Sequence, residues 1–245
     1  MKVVLAIARR ELESYFTTVI GWVFLLAFVL INGWFFASLM GQLIYYNSRG
    51  YSFDINTEVI PAFFSTVIIM VCFFAPALSM RTFSVEMKQK SFDLLLSSPI
   101  SSSQIVLGKF MGAMGYIGIA LLSLIHCTLF LYWIGEPDIG ILLVNYLATF
   151  LTAACCISVG MLFSSFTPNQ LIALVLSFIS IVILMLLADL GGENWWVEAL
   201  SYASMLSHIE YLCQGLIQTK DMVYFLSFIF LFLFATLQRI EAYRW

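Results

Sequence analysis

"GWVFLLAFVLINGWFFASLM" (residues 21–40) runs for twenty residues without a charged side chain. A helix needs about 20 apolar residues to cross the hydrocarbon core of a bilayer. Four further runs reach that length, at 60–80, 110–134, 140–163 and 171–190. A sixth, 222–237, is short, but Lys220 and Arg239 flank it and can reach to the two interfaces. The whole composition agrees. The chain has 245 residues, of which 62% are hydrophobic and 10% charged. A soluble domain carries about 25% charged residues. A β-barrel would alternate in polarity over segments of about ten residues, whereas these runs are continuous. The sequence therefore predicts an all-α, polytopic membrane protein with six transmembrane helices, because lipid requires the backbone to satisfy its own hydrogen bonds.

Six spans put both termini on one side. That side then holds Lys2, Arg9, Arg10, Arg81, Lys88, Lys90, Lys109, Arg239 and Arg244. The opposite side holds Arg49 and Lys220. Nine against two places both termini in the cytoplasm by the positive-inside rule. No cleavable signal is expected: the first apolar stretch, 3–8, is short and is followed by Arg9, Arg10, Glu11 and Glu13.

Three segments outside the spans carry pattern. Residues 1–18 place Leu5, Ala8, Leu12, Tyr15 and Val19 at helical spacing, with Lys2, Arg9, Arg10 and Glu13 on the other side. This is an amphipathic helix, either lying in the cytoplasmic interface or extending the first span. Residues 81–109 form the one sizeable cytoplasmic loop. Its string "SVEMKQKSFDLLL" suits a helix, Pro99 ends it, and Ser101-x-x-Gln104 has the form of a capping box that starts the next helix. Phe92, Leu94, Leu95 and Leu96 form an apolar cluster rimmed by charge, the usual mark of a partner surface. A plain solvated connector is the alternative. Residues 191–221 mix apolar and polar positions at helical spacing and predict one or two short helices on the external side, either dipping into the leaflet or lying flat. Gly108, Gly112, Gly115 and Gly118 make a small-residue stripe at the start of the third span. Such a stripe allows close approach of another helix, within the chain or across a dimer.

Catalytic and metal chemistry is not signalled. There is no G-x-S-x-G, no H-E-x-x-H and no P-loop, so the chain does not bind ATP through that motif. The five cysteines form no C-x-x-C pair, which argues against zinc. His126 and His208 do not offer a bis-histidine haem site within the spans. His126 reads as a hydrogen-bonded packing residue. The spans hold almost no charge, which lowers the case for an ion-coupled carrier.

The string "MRTFSVEMKQKSFDLLLSSPISSSQIVLGKF" (residues 80–110) resembles the cytoplasmic coupling segment of type-2 ABC transporter permeases, the ABC-2 family. "RRELESYFTTVIGWVF", "SSFTPNQLIA" and the segment from "LSHIEYLCQG" to the final "RIEAYRW" are similar to the permease subunit associated with bacterial gliding motility and, less closely, to the nitrous-oxide-reductase maturation permease. The resemblance implies a single transmembrane domain over 1–245 in the bacterial inner membrane. It implies an exporter permease with no cofactor of its own, driven by a separate P-loop ATPase subunit that binds ATP and Mg. A second permease copy or a related chain would complete a dimer, and no nucleic acid is involved. Carried over by position, ATPase coupling falls on Glu86, Lys88, Lys90, Ser91, Phe92, Asp93, Leu94, Leu95, Leu96 and Pro99. Ser91 and Asp93 stand where Thr and Glu are usual. The competing readings are an ATP-independent carrier or channel, and a membrane scaffold of a motility or maturation assembly.

Overall fold

The computed structural model of the chain describes residues 2–50, 54–89, 100–187 and 202–244. Among these no strand occurs. The helices are α1 (Lys2–Thr17), α2 (Val19–Ser48), α3 (Ile60–Ser79), α4 (Arg81–Lys88), α5 (Ser102–Leu122), α6 (Ile125–Ile134), α7 (Ile139–Ser164), α8 (Gln170–Leu186), α9 (Met205–Cys213) and α10 (Thr219–Arg244).

The chain belongs in a membrane by the length of these rods. Five stretches are long and apolar enough to cross: Val19–Ser48, Ile55–Lys88, Ser102–Ile134, Ile139–Ser164 and Thr219–Tyr243. The sequence predicted six. The run at 171–190 corresponds to α8, a shorter apolar helix of 17 residues, and its last residues lie outside the described ones. Several rods outrun the expected bounds. α2 has 30 residues, so it extends about 45 Å, well beyond a hydrocarbon core of about 30 Å. The third run is broken at Ser123 and Leu124, where α5 gives way to α6.

Local chemistry explains the ends. A π-helical turn, Ile55–Val59, leads into α3, with Pro61 in the first turn where a missing amide hydrogen costs nothing. The Ser101 hydroxyl accepts from the Gln104 amide at 3.4 Å and starts α5, as the capping box predicts. Asp138 caps α7 through the Gly140 amide at 2.6 Å, and Asn169 caps α8 through the Leu171 amide at 3.0 Å. Pro76 lies inside α3 without ending it.

The core is organised around α7, which packs on α3, α4, α5, α8, α9 and α10. Its small side chains let neighbours come close. Ala148, Thr149, Thr152, Ala153, Ser158 and Gly160 are all buried. At Gly160 the neighbour is α3: a Cβ there would lie 1.8 Å from the Ser79 hydroxyl oxygen. Asn145 donates to the Ile141 carbonyl at 2.8 Å and to the Cys213 carbonyl at 3.0 Å. It thereby ties the end of α9 to α7. Among the five long spans, Val19–Ser48 and Thr219–Tyr243 are the least buried.

Replacing Gly160 with Val should separate α3 from α7. Overpacked cores lose about 1–3 kcal/mol, so thermal unfolding of the purified protein in detergent should shift clearly downward. An unchanged transition would show that the two helices have room that the packing does not indicate.

Candidate coupling site

The site is built where α1, α4 and α5 meet at one end of the bundle. α5 brings a glycine face. A Cβ on Gly108 would lie 2.7 Å from the Ile7 Cβ, and one on Gly112 would lie 2.6 Å from the Glu11 Cβ and 2.8 Å from the Ala8 carbonyl oxygen. Gly115 faces Leu12 at ordinary contact distance, while Gly118 has nothing nearby. The stripe therefore does approach a helix closely, and that helix is α1 of the same chain. Two of its four members, Gly108 and Gly112, require the absence of a side chain.

This contact turns α1 away from its expected orientation. The predicted apolar stripe ran through Leu5, Ala8, Leu12, Tyr15 and Val19. Leu5 and Val19 are exposed, and the packed line is Ile7, Ala8, Glu11, Leu12 and Tyr15. The glycine face attracts whatever side of α1 fits it, and Glu11 comes with that side.

The C-terminal half of α1 is anchored by aromatic rings. Tyr15 stands 5.1 Å from Tyr116, and Phe16 lies 5.4 Å from Tyr116 and 5.5 Å from Trp22. Burial pushes the Tyr15 phenol well up, with Glu11 adding to the shift, so it serves as a neutral donor to the Leu78 carbonyl at 3.2 Å. The Tyr116 hydroxyl donates to the Gly21 carbonyl at 2.5 Å. Gly21 is needed at this corner, because a Cβ would lie 1.9 Å from the Tyr15 carbonyl oxygen.

α4 continues from α3 and is held from two sides. From α7, the Ser164 hydroxyl accepts from the Phe83 amide at 3.0 Å and the Ser84 amide at 3.1 Å, and donates to the Met80 carbonyl at 2.9 Å. It satisfies amides that the first turn of a helix leaves open. From α5, Lys109 reaches across. Its Nζ donates to the Thr82 carbonyl at 2.7 Å, to Glu86 Oε1 at 2.8 Å and to Glu11 Oε2 at 3.5 Å. It also lies over the Phe83 ring, 5.2 Å from the centroid. The Lys109 side chain is 5% exposed, and both carboxylates are below 20%. A buried ammonium needs this much compensation. One lysine thus joins three helices. Beside it a polar cavity of about 160 Å³ opens between α1 and α4, with Arg10, Arg81 and Gln89 among its lining residues.

The predicted coupling residues divide in two. Glu86 and Lys88 lie on α4. Glu86 turns inward to Lys109, and Lys88 is exposed in the last turn. Lys90, Ser91, Phe92, Asp93, Leu94, Leu95, Leu96 and Pro99 lie outside the described residues. Reading the sequence missed Lys109 as the central tie and Ser164 as the cap. Lys109 had one signal: it is a cation near the start of an apolar span, directly after Gly108.

With the geometry in view, the comparison with known families is direct. The long apolar helices define a multi-pass membrane protein. It belongs to the ABC-2 family of transporter proteins, whose family model matches residues 5–239. No curated protein matches the sequence significantly. ABC-2 permeases in general work with an ATPase subunit.

Replacing Lys109 with Met removes the hub of the junction and strands two half-buried carboxylates. Breaking a buried pair in this way costs about 3 kcal/mol. Glu86→Gln should cost less, about 1 kcal/mol, since an amide oxygen still accepts from the ammonium. Urea or thermal unfolding in detergent measures both. Equal stability of Lys109→Met and the wild type would show that the junction is not held by this residue.

Proposed function

We propose that this chain is the permease subunit of an ABC exporter in a bacterial inner membrane, driven by ATP hydrolysis on a separate P-loop ATPase subunit. ATP and Mg belong to that partner. Two permeases, identical or related, would pair with two ATPases, with both termini in the cytoplasm as the lysine and arginine distribution suggests. The observation that carries the reading is the junction of α1, α4 and α5 at Lys109. It ties α4, the helix that precedes the proposed docking segment, to two other helices.

In this reading the segment after α4 enters a groove of the ATPase. Phe92, Leu94, Leu95 and Leu96 supply apolar contact, and Pro99 ends the segment. Lys88, Lys90, Ser91 and Asp93 orient it. Glu86 holds α4 to Lys109, and in this reading its neighbours make the outward contacts. ATP-driven closure of the ATPases would push α4, and α1 and α5 would move with it as one rigid body. Rigid-body movement of packed helices is a common form of switching. The narrower likeness to the gliding-motility and nitrous-oxide-reductase maturation permeases rests on the sequence strings quoted above, and the cargo follows from neither.

Copurification tests the proposal. A tagged permease expressed with its candidate ATPase should retain that subunit, and Leu95→Asp should release it while the permease stays folded. Retention by Leu95→Asp would count against docking through this segment. Transport that persists without nucleotide would favour a secondary carrier. Function that survives an ATPase-dead partner would favour a scaffold.

A further inference from the structure

The polar cavity beside Lys109 draws charge from three helices. Arg10 and Glu11 come from α1, Arg81 and Glu86 from α4, and Lys109 from α5. These charges are unevenly matched. Both carboxylates bind the Lys109 ammonium, Glu86 at 2.8 Å and Glu11 at 3.5 Å. Arg10 and Arg81 form no ion pair among the described residues. Three cations against two carboxylates leave the lining with one positive charge in excess. Arg10 is exposed and Arg81 half-buried, so both remain open to a ligand.

The chemistry of the two arginines narrows what that ligand is. A guanidinium is a planar fork of donors that suits the oxygens of phosphate and carboxylate. These two forks stand on different helices, α1 and α4. A tetrahedral phosphate offers oxygens in several directions and can take one fork from each helix, whereas a carboxylate presents its two oxygens in one plane. The cavity measures about 160 Å³. That is about ten times the smallest space that holds one water molecule, enough for such a group with its own hydration.

Lipid lies close by. Ser14 and Tyr15 line the cavity and lead into the corner between α1 and α2. At that corner the Trp22 indole donates to the Phe16 carbonyl at 2.8 Å, an amphipathic ring of the kind that favours the membrane–water boundary. Val19, Ile20, Trp22 and Val23 are exposed there and open a span long and apolar enough to cross the bilayer. The charge count then selects among phosphates. A phosphodiester with one negative charge neutralises the lining, while a phosphate with a free second oxygen carries closer to two at neutral pH and overshoots. A phosphatidylcholine headgroup brings its own cation. We propose that this cavity binds the phosphodiester of an anionic phospholipid, clamped between Arg10 of α1 and Arg81 of α4. The bound lipid adds a second link between α1 and α4 beside Lys109. Binding needs no ATPase, so it stands or falls separately from the function proposed above.

Short-chain phosphatidylglycerol titrated into the purified chain in an uncharged detergent tests this, with the thermal unfolding temperature as the readout. The temperature should rise along a saturable curve, because a ligand of the folded state stabilises it. Arg10→Gln and Arg81→Gln should each move half-saturation to about tenfold more lipid, since each removes one charge-assisted fork. Arg9→Gln should leave it in place. Arg9 carries the same charge one residue away, pairs with Glu13 at 2.8 Å and stands outside the cavity lining. Short-chain phosphatidylcholine and inorganic phosphate should each give less stabilisation than phosphatidylglycerol at the same concentration. Inorganic phosphate that saturates at or below the lipid's concentration would assign the site to the free ion and overturn the lipid. Equal responses to the two lipids, or no saturable rise with phosphatidylglycerol, would overturn the proposal. So would an Arg9→Gln variant that weakens binding as much as Arg81→Gln does.

Discussion

An ammonium group buried at the edge of an apolar bundle must be surrounded by acceptors, and Lys109 of α5 meets that demand by drawing in two further helices. Thr82 and Glu86 come from α4 and Glu11 from α1. The glycine face of α5 makes the arrangement possible. A side chain at Gly108 or Gly112 would hold α1 off and carry Glu11 out of reach. Buried ion pairs contribute little net stability compared with apolar packing, because desolvation offsets much of the attraction. Their more certain effect here is register. One pairing satisfies Lys109, and it fixes α1, α4 and α5 relative to one another.

The same logic separates the molecule into zones. The middle is apolar and tightly packed around α7, with no charge on α3, α7 or α8. Among the described residues, buried ionisable groups pair at the two ends, Lys109 with its carboxylates at one and His208 with Asp221 at the other. Such a body suits a permease of the ABC-2 family. An interlocked centre of this kind would transmit displacement, and the polar junctions at the ends would tie neighbouring elements together. The junction at Lys109 holds α4, the helix that precedes the segment proposed above to dock on an ATPase.

Much of this was readable in the sequence, for identifiable reasons. Hydrophobic runs gave the helices because twenty apolar residues have few alternatives in lipid. Capping chemistry placed the start of α5 at Ser101 because a hydroxyl and an amide three residues apart are a local signal. The glycine stripe announced a close contact without naming its partner. The partner is a long-range fact: Gly108 meets Ile7 a hundred residues away, and no local pattern encodes that. Leu5 and Val19 misled the reading of α1 because amphipathicity shows which side is apolar, and the glycine face then selected a rotated line through Ile7 and Glu11. Asp221 follows Lys220 with no local pattern that pairs it. Only the fold carries it against His208, thirteen residues earlier.

The central claim is that α1, α4 and α5 form one rigid unit that moves with nucleotide. Spin-label distances in the reconstituted permease–ATPase complex test it directly, with one label on exposed Lys2 of α1 and one on exposed Met111 of α5. The account predicts the same α1–α5 distance with and without ATP, while the distance from α5 to a label on exposed Phe230 of α10 changes. A nucleotide-dependent change between α1 and α5 would contradict it.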